Sequence, residues 1–141
     1  MRVAVIPGDG IGLETTAEAM KVLRRTADVF GRAIELEPLP WSADHYLRTG
    51  VTIPPDGYAT LRQFDAIFIG ALGDPRVPDN RHARDILLGT RFELDLYVNY
   101  RPVKLLADRL SPLKDRGRKD INFVVFRENT EGVYVGIGGR F

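Results

Sequence analysis

Arg84, Leu87, Leu88 and Arg91 stand at i, i+3, i+4 and i+7. On an α-helix this spacing places all four on one face. Such a face joins a guanidinium to an apolar patch, which suits a small molecule with a carboxylate at one end and a hydrocarbon branch at the other. The same pattern also describes an amphipathic helix whose leucines pack inward while its arginines reach water. Arg101 follows the apolar run Tyr97-Val98-Asn99-Tyr100, and Arg127 follows the run 123–126, so both are expected at strand ends, where α/β proteins place ligands. Together Arg91, Arg101 and Arg127 would form a polycarboxylate clamp, each planar fork meeting a carboxylate with two parallel hydrogen bonds. Taken singly, each would serve as a surface ion-pair partner. Tyr134 lies seven residues after Arg127. Its phenol could move a proton beside these cations or hydrogen-bond within a core.

The second chemical feature is Gly8-Asp9-Gly10-Ile11-Gly12. The spacing is not the dinucleotide fingerprint G-x-G-x-x-G, because Leu13 occupies the third glycine position and Asp9 would oppose a pyrophosphate. The residues alone describe a tight turn from strand to helix, with glycines at positive φ. His45 and His82 are the two histidines, and neither has an acidic or histidine partner at ligand spacing, so no metal site is assigned.

These groups need elements to hold them. Val3-Ala4-Val5-Ile6, closed by Pro7-Gly8, predicts a strand buried on both faces. Apolar positions Ala17, Met20, Val22, Leu23, Ala27 and Phe30 predict a helix over 14–30 that ends at Gly31. A strand is expected over 34–39, a helix from Pro54 to about residue 64, and a strand over 65–70. Next come a helix over 81–94, a strand over 96–100 broken at Pro102, a polar basic loop over 104–119 and a strand over 122–126. A short strand over 134–137 closes the reading. Strands alternating with helices predict an α/β protein with a parallel sheet and right-handed crossovers.

Composition narrows the function classes. The chain has 141 residues, 20 basic against 19 acidic side chains and no cysteine. A net charge of +1 leaves no electrostatic footprint for nucleic acid or an anionic membrane. The absence of cysteine excludes disulfides, thiolate metal sites and a cysteine nucleophile, and fits a reducing compartment. No apolar run approaches the ~20 residues of a membrane span, and the first residues lack a signal-peptide layout, so a cytoplasmic protein is expected.

Several segments, in order, resemble the β-decarboxylating dehydrogenases, the family of isopropylmalate, isocitrate, homoisocitrate and tartrate dehydrogenases. They are Val5-Ile6-Pro7-Gly8-Asp9-Gly10-Ile11-Gly12, Gly70-Ala71-Leu72-Gly73-Asp74-Pro75, Leu87-Leu88 with Arg91, Tyr97-Val98-Asn99-Tyr100-Arg101-Pro102, and Arg127-Glu128-Asn129-Thr130-Glu131-Gly132 with Tyr134. The resemblance implies oxidation of a 2-hydroxy acid by NAD or NADP, with loss of the β-carboxylate as carbon dioxide at a Mg or Mn ion. It matches Arg91, Arg101 and Arg127 to the arginines that grip the malate-like carboxylates, Tyr134 to the tyrosine that protonates the enolate, and Leu87 and Leu88 to the pair against the substrate side group. Ile11, Leu72, Gly73 and Asp74 match segments near the cofactor, which this family binds without the ordinary fingerprint. It implies NAD as cofactor, 3-isopropylmalate as substrate, a homodimer and a role in leucine biosynthesis, with tartrate, malate or homoisocitrate enzymes as alternatives.

The implied fold is the N-terminal portion of an isopropylmalate dehydrogenase-like three-layer α/β sandwich. Residues 1–98 would begin the larger, cofactor-side domain, and residues 99–141 would begin the second domain, for substrate and dimer contacts. Leu13 replaces the family's usual proline, a modest change in turn stiffness. Arg84 stands near a position where isopropylmalate enzymes carry a glutamate, which weakens the match to that exact substrate, and the Arg-Glu-Asn-Thr-Glu-Gly run with a later Gly-Gly-Arg also resembles tartrate and isocitrate relatives. The metal-binding aspartates, the catalytic lysine and the adenosine loop would lie beyond residue 141. The 141 residues alone are therefore expected to be inactive and marginally stable, with a non-catalytic piece that keeps only the carboxylate clamp as the other reading.

Overall fold

The computed structural model describes residues 1–132 together with Val135, Gly138 and Gly139. The expected strand over 134–137 and the Tyr134 side chain lie outside the described residues. Two compact units are present, Met1–Leu94 and Asp95–Phe141.

The first unit is built on β1 (Arg2–Gly8), whose Val3, Ala4, Val5 and Ile6 are all buried. A continuous apolar run has no solvent face, so it belongs at the centre of a sheet. β1 pairs in parallel with β2 (Glu35–Pro38) on one side and with β3 (Ala66–Ala71) on the other. The order is β2-β1-β3. Between β1 and β2 runs α1 (Ile11–Val29). Its C-terminus closes as expected at Gly31, where φ is +58°. Arg32 N–H reaches Ala27 O at 2.8 Å, and Gly31 N–H reaches Asp28 O at 3.2 Å. These two bonds satisfy carbonyls the helix leaves orphaned.

One helix was not anticipated, α2 (Ala43–Thr49). Its start is sealed by the Ser42 side chain accepting from His45 N–H, and its end by Gly50 at φ +71°. The helix expected from Pro54 shrinks to α3 (Gly57–Leu61). Ala4, Ile6, Trp41, Leu61 and Ile86 form the buried core, flanked by half-buried Leu39, Ile67, Ile69 and Leu94.

The helix expected over 81–94 is interrupted. It runs as α4 (Arg81–Arg84), a π-helical turn (Asp85–Gly89) and α5 (Thr90–Glu93). Before it, Asp79 and Asn80 both hold positive φ, at 55° and 46°. The second unit contains β4 (Val98–Lys104) and β5 (Asn122–Glu128), paired antiparallel over their full lengths. β4 continues through Pro102, which pairs with Val124. A proline is tolerated there because one flank of a two-stranded ribbon requires no ladder donor. No helix among the described residues is long and apolar enough to cross a membrane.

Candidate functional site

The glycine turn owes its residue types to close packing. Gly8 sits at φ +83°, and any Cβ on Gly12 would overlap the carbonyl oxygens of Pro7 and Ala71. Gly70 meets Pro7 in the same way. The start of α1 is thus pressed onto the C-terminal ends of β1 and β3, closer than a side chain permits. Gly10 is different: φ is +51°, and its missing Cβ faces open space.

Asp9 does not oppose a ligand at the mouth of this turn, as its position in the sequence suggested. Its carboxylate is turned inward and buried. Oδ1 accepts from Ala43 N–H at 2.6 Å, and Oδ2 accepts from Gly73 N–H at 2.9 Å and lies 2.6 Å from His82 Nε2. His82 therefore has an acidic partner after all, 73 positions away. No local spacing rule finds such a pair. Beside it opens a cleft of about 550 Å³ lined by Gly8, Gly10, Leu13, Trp41, His45 and Asp74 among others. It lies past the C-terminal ends of β1 and β2, the usual ligand position in parallel α/β sheets.

The four cofactor-side candidates occupy different surroundings. Asp74 borders the cleft. Gly73 is exposed and tied to Asp9. Leu72 packs on the core, and Ile11 is exposed on the first turn of α1. Asp74 is itself clamped: Arg76 Nε and Nη2 reach its two oxygens at 3.0 and 2.6 Å, and Arg76 also contacts Asp44 at 2.7 Å. These bonds hold the Asp74 carboxyl down at about 2.

Along the helical segment the inward positions are His82, Ala83, Ile86 and Thr90. Leu87, Leu88 and Arg91 are half-buried beside that stripe, while Arg84 is exposed and loosely paired with Asp85 at 3.7 Å. A π turn inserts about one residue's rotation, roughly 100°, so a spacing of seven across it no longer marks a single face. The shift falls on Arg84 and Arg91, seven apart across the turn, while Leu87 and Leu88 lie within the π turn itself.

Arg101 is not at a strand end but central in β4, because the strand runs on past Pro102, whereas Arg127 is the penultimate residue of β5. The register supplies what sequence position could not: Asn99 is opposite Arg127, and Arg101 is opposite Val125. Directly paired residues share a face, as do alternate residues along a strand. Asn99, Arg101 and Arg127 therefore lie on one face of the ribbon, the two arginines being diagonal neighbours roughly 7–8 Å apart at the backbone.

The neighbouring motif residues are structural, a role not read from the sequence. Glu128 accepts from Thr130 N–H, Thr130 Oγ1 and Glu131 N–H at 2.6–2.7 Å, which lowers its carboxyl pKa. Buried Asn129 links to Tyr97 O through its backbone, and its side chain to Leu96 O and Asn99. No local rule marks it, since side-chain-closed turns of this kind are ordinarily built on Ser, Thr, Asn or Asp rather than on the longer Glu. Among the described residues no group of three or more His, Asp and Glu side chains could hold a metal ion. The described residues alone therefore supply no ligand set for the divalent ion that the resemblance implies.

Residues 2–140 match the isocitrate/isopropylmalate dehydrogenase family. Over 140 residues the chain is 50% identical to the 3-isopropylmalate dehydrogenase of Corynebacterium kroppenstedtii, covering 99% of this chain and 40% of that protein. It is 47% identical to a probable tartrate dehydrogenase/decarboxylase of Bacillus subtilis, covering 98% of this chain and 39% of that one. Identity to the decarboxylating D-malate dehydrogenase of Escherichia coli is 45%, over 99% of this chain and 39% of the relative. Among solved structures, isocitrate dehydrogenase from Methylococcus capsulatus aligns with a TM-score of 0.71 at 30% identity, over 96% of this chain and 37% of that one. The chain thus spans about 40% of the length of these curated relatives. A match running from residue 2 to residue 140, with an α/β fold shared at that identity, establishes that the chain belongs to the isocitrate/isopropylmalate dehydrogenase family.

Proposed function

We propose that this protein takes part in the NAD-dependent oxidative decarboxylation of a malate-type 2-hydroxy acid, with 3-isopropylmalate as the substrate. The observation that carries the reading is the shared face of Arg101 and Arg127 on the β4–β5 ribbon. Two guanidinium forks at that separation can each take one carboxylate of a malate backbone. By the resemblance Arg91 would be the third of these arginines, and Leu87 and Leu88, half-buried beside it, would offer an apolar wall for a branched alkyl group. A carboxymethyl substituent would gain nothing from that wall, which favours isopropylmalate over isocitrate. Tartrate and malate enzymes stand among the relatives, and they are the alternative substrates to test.

The cofactor side fits a dinucleotide on one structural ground. With Asp9 turned inward onto three donors, the glycine turn presents Gly10 and its open backbone without an opposing charge. Ile11, Leu72, Gly73 and Asp74 would border NAD, which supplies the hydride acceptor when bound. Tyr134 would deliver the proton to the enolate carbon after carbon dioxide leaves. Residues 1–98 would belong to the cofactor-side domain and residues 99–141 to the substrate and dimer domain of a cytoplasmic homodimeric enzyme.

A second reading is a carboxylate-binding piece without turnover, for which the arginine face of the β4–β5 ribbon alone suffices. One assay separates the two: NADH formation with 3-isopropylmalate, D-malate, tartrate and isocitrate in the presence of Mn. Turnover greatest with 3-isopropylmalate supports the enzyme. No turnover with any acid, together with 3-isopropylmalate binding that Arg101→Ala abolishes, supports the binding piece.

A further inference from the structure

The Asp9–His82 pair touches no reacting group of the reaction proposed above, yet among the described residues it is one of the most buried polar contacts. The His82 side chain is 0% exposed and that of Asp9 3%. Asp9 lies between β1 and α1, and its three donors come from the start of α2, the loop after β3 and α4. One carboxylate thus joins four segments. Its backbone takes part as well, since Asp9 N–H donates to Ala71 O at 2.7 Å.

His82 Nδ1 is buried without a partner among the described residues. The ring therefore uses one nitrogen only. With Asp9 as acceptor, Nε2 carries the hydrogen. An aliphatic side chain would fill the same space. What the imidazole adds is one N–H aimed at a carboxylate that is shut off from water and depends on every donor it has. Oδ2 is the oxygen shared by His82 and Gly73, so the donor on one side sets where the carboxylate sits for the other.

We propose that His82 is a positioning residue: acting through Asp9, it fixes the Gly73 backbone and thereby holds the 72–74 loop against the glycine turn. That this loop borders NAD rests on the function proposed above. The hold on Gly73 does not.

The test compares the chain with His82→Leu and His82→Gln, because a glutamine amide N–H reaches the place of the imidazole Nε2 and leucine has no donor. Amide hydrogen exchange is read at Gly73 and Ala43, against Val5 in β1 as an internal standard, and NAD affinity is measured by titration. In the leucine variant, exchange at Gly73 rises roughly tenfold or more while Val5 is unchanged, and the glutamine variant stays within about threefold of the parent. NAD affinity follows the same order. Equal exchange at Gly73 in the leucine and glutamine variants overturns the proposal, because filled volume alone would then suffice. If the leucine variant does not fold, His82→Asn replaces it, since its shorter amide does not reach Asp9. Loss of Gly73 protection in asparagine but not glutamine supports the proposal, and equal protection overturns it. Should Gly73 respond as expected while NAD binds none of the proteins, the positioning role stands and the cofactor assignment of this loop falls.

Discussion

At Asp74 a carboxylate that could face a ligand is already engaged by the guanidinium two residues on. Hydrogen bonds from Arg76 hold its pKa at about 2, against an ordinary 3.8. The folded-state value is the depressed one. The stabilisation is therefore complete above the unfolded value near 3.8 and is lost as pH falls through about 2. Arg76→Ala is expected to return the Asp74 titration toward 3.8, as followed by its carboxyl NMR shift, and an unmoved midpoint would remove Arg76 as the cause. The contrast with Asp9 shows what a sequence displays at this scale. Asp74 and Arg76 are adjacent on the chain, so their pairing is open to inspection. Asp9 finds His82 only because β1 and β3 are neighbours in the sheet and α4 folds back over them. The motif located Asp9 but gave the wrong direction for its charge, since direction depends on donors 34, 64 and 73 residues away.

Elements were legible where one physical signal dominated. β1 is a continuous apolar run and is buried as such, and the end of α1 follows from Gly31. Boundaries failed where tertiary packing overrode the local signal. α2 buries little besides Ala43, so it has no apolar stripe to read, although Ser42 and Gly50 bracket it with ordinary capping chemistry. The π turn at Asp85–Gly89 shifts Arg91 relative to Arg84, and no i, i+3, i+4 count reveals it. In the sequence Pro102 reads as a strand breaker, yet a ribbon with a free flank accommodates it. The glycine turn yields an element-scale prediction. Helix propensity alone favours Gly12→Ala by up to about 1 kcal/mol. The collision with the Pro7 and Ala71 carbonyls opposes it, because backbone on both sides cannot move aside. We expect a net loss of about 1–3 kcal/mol in urea unfolding. A stabilised variant would show that the start of α1 is not pressed onto the sheet.

On the scale of the whole molecule, two units carry different parts of the proposed chemistry. Met1–Leu94 holds the glycine turn, the cleft and the leucine pair, and Asp95–Phe141 holds the arginine ribbon. Near-zero net charge said nothing about a substrate, because two arginines on one ribbon face need no excess of cations over the chain. Family membership was legible from motif order and is established by the match over residues 2–140. The residue pattern did not show that Arg101 and Arg127 share a face, because that depends on the pairing register of strands separated by a long polar loop. The proposal that this face grips a malate-type dicarboxylate meets its sharpest check in calorimetric titration of 3-isopropylmalate into the 141-residue chain and its Arg101→Ala variant. Binding to the parent should weaken roughly tenfold or more in the variant, as for a lost charge-assisted fork. Equal affinity of the two proteins, or no binding to the parent, would contradict it.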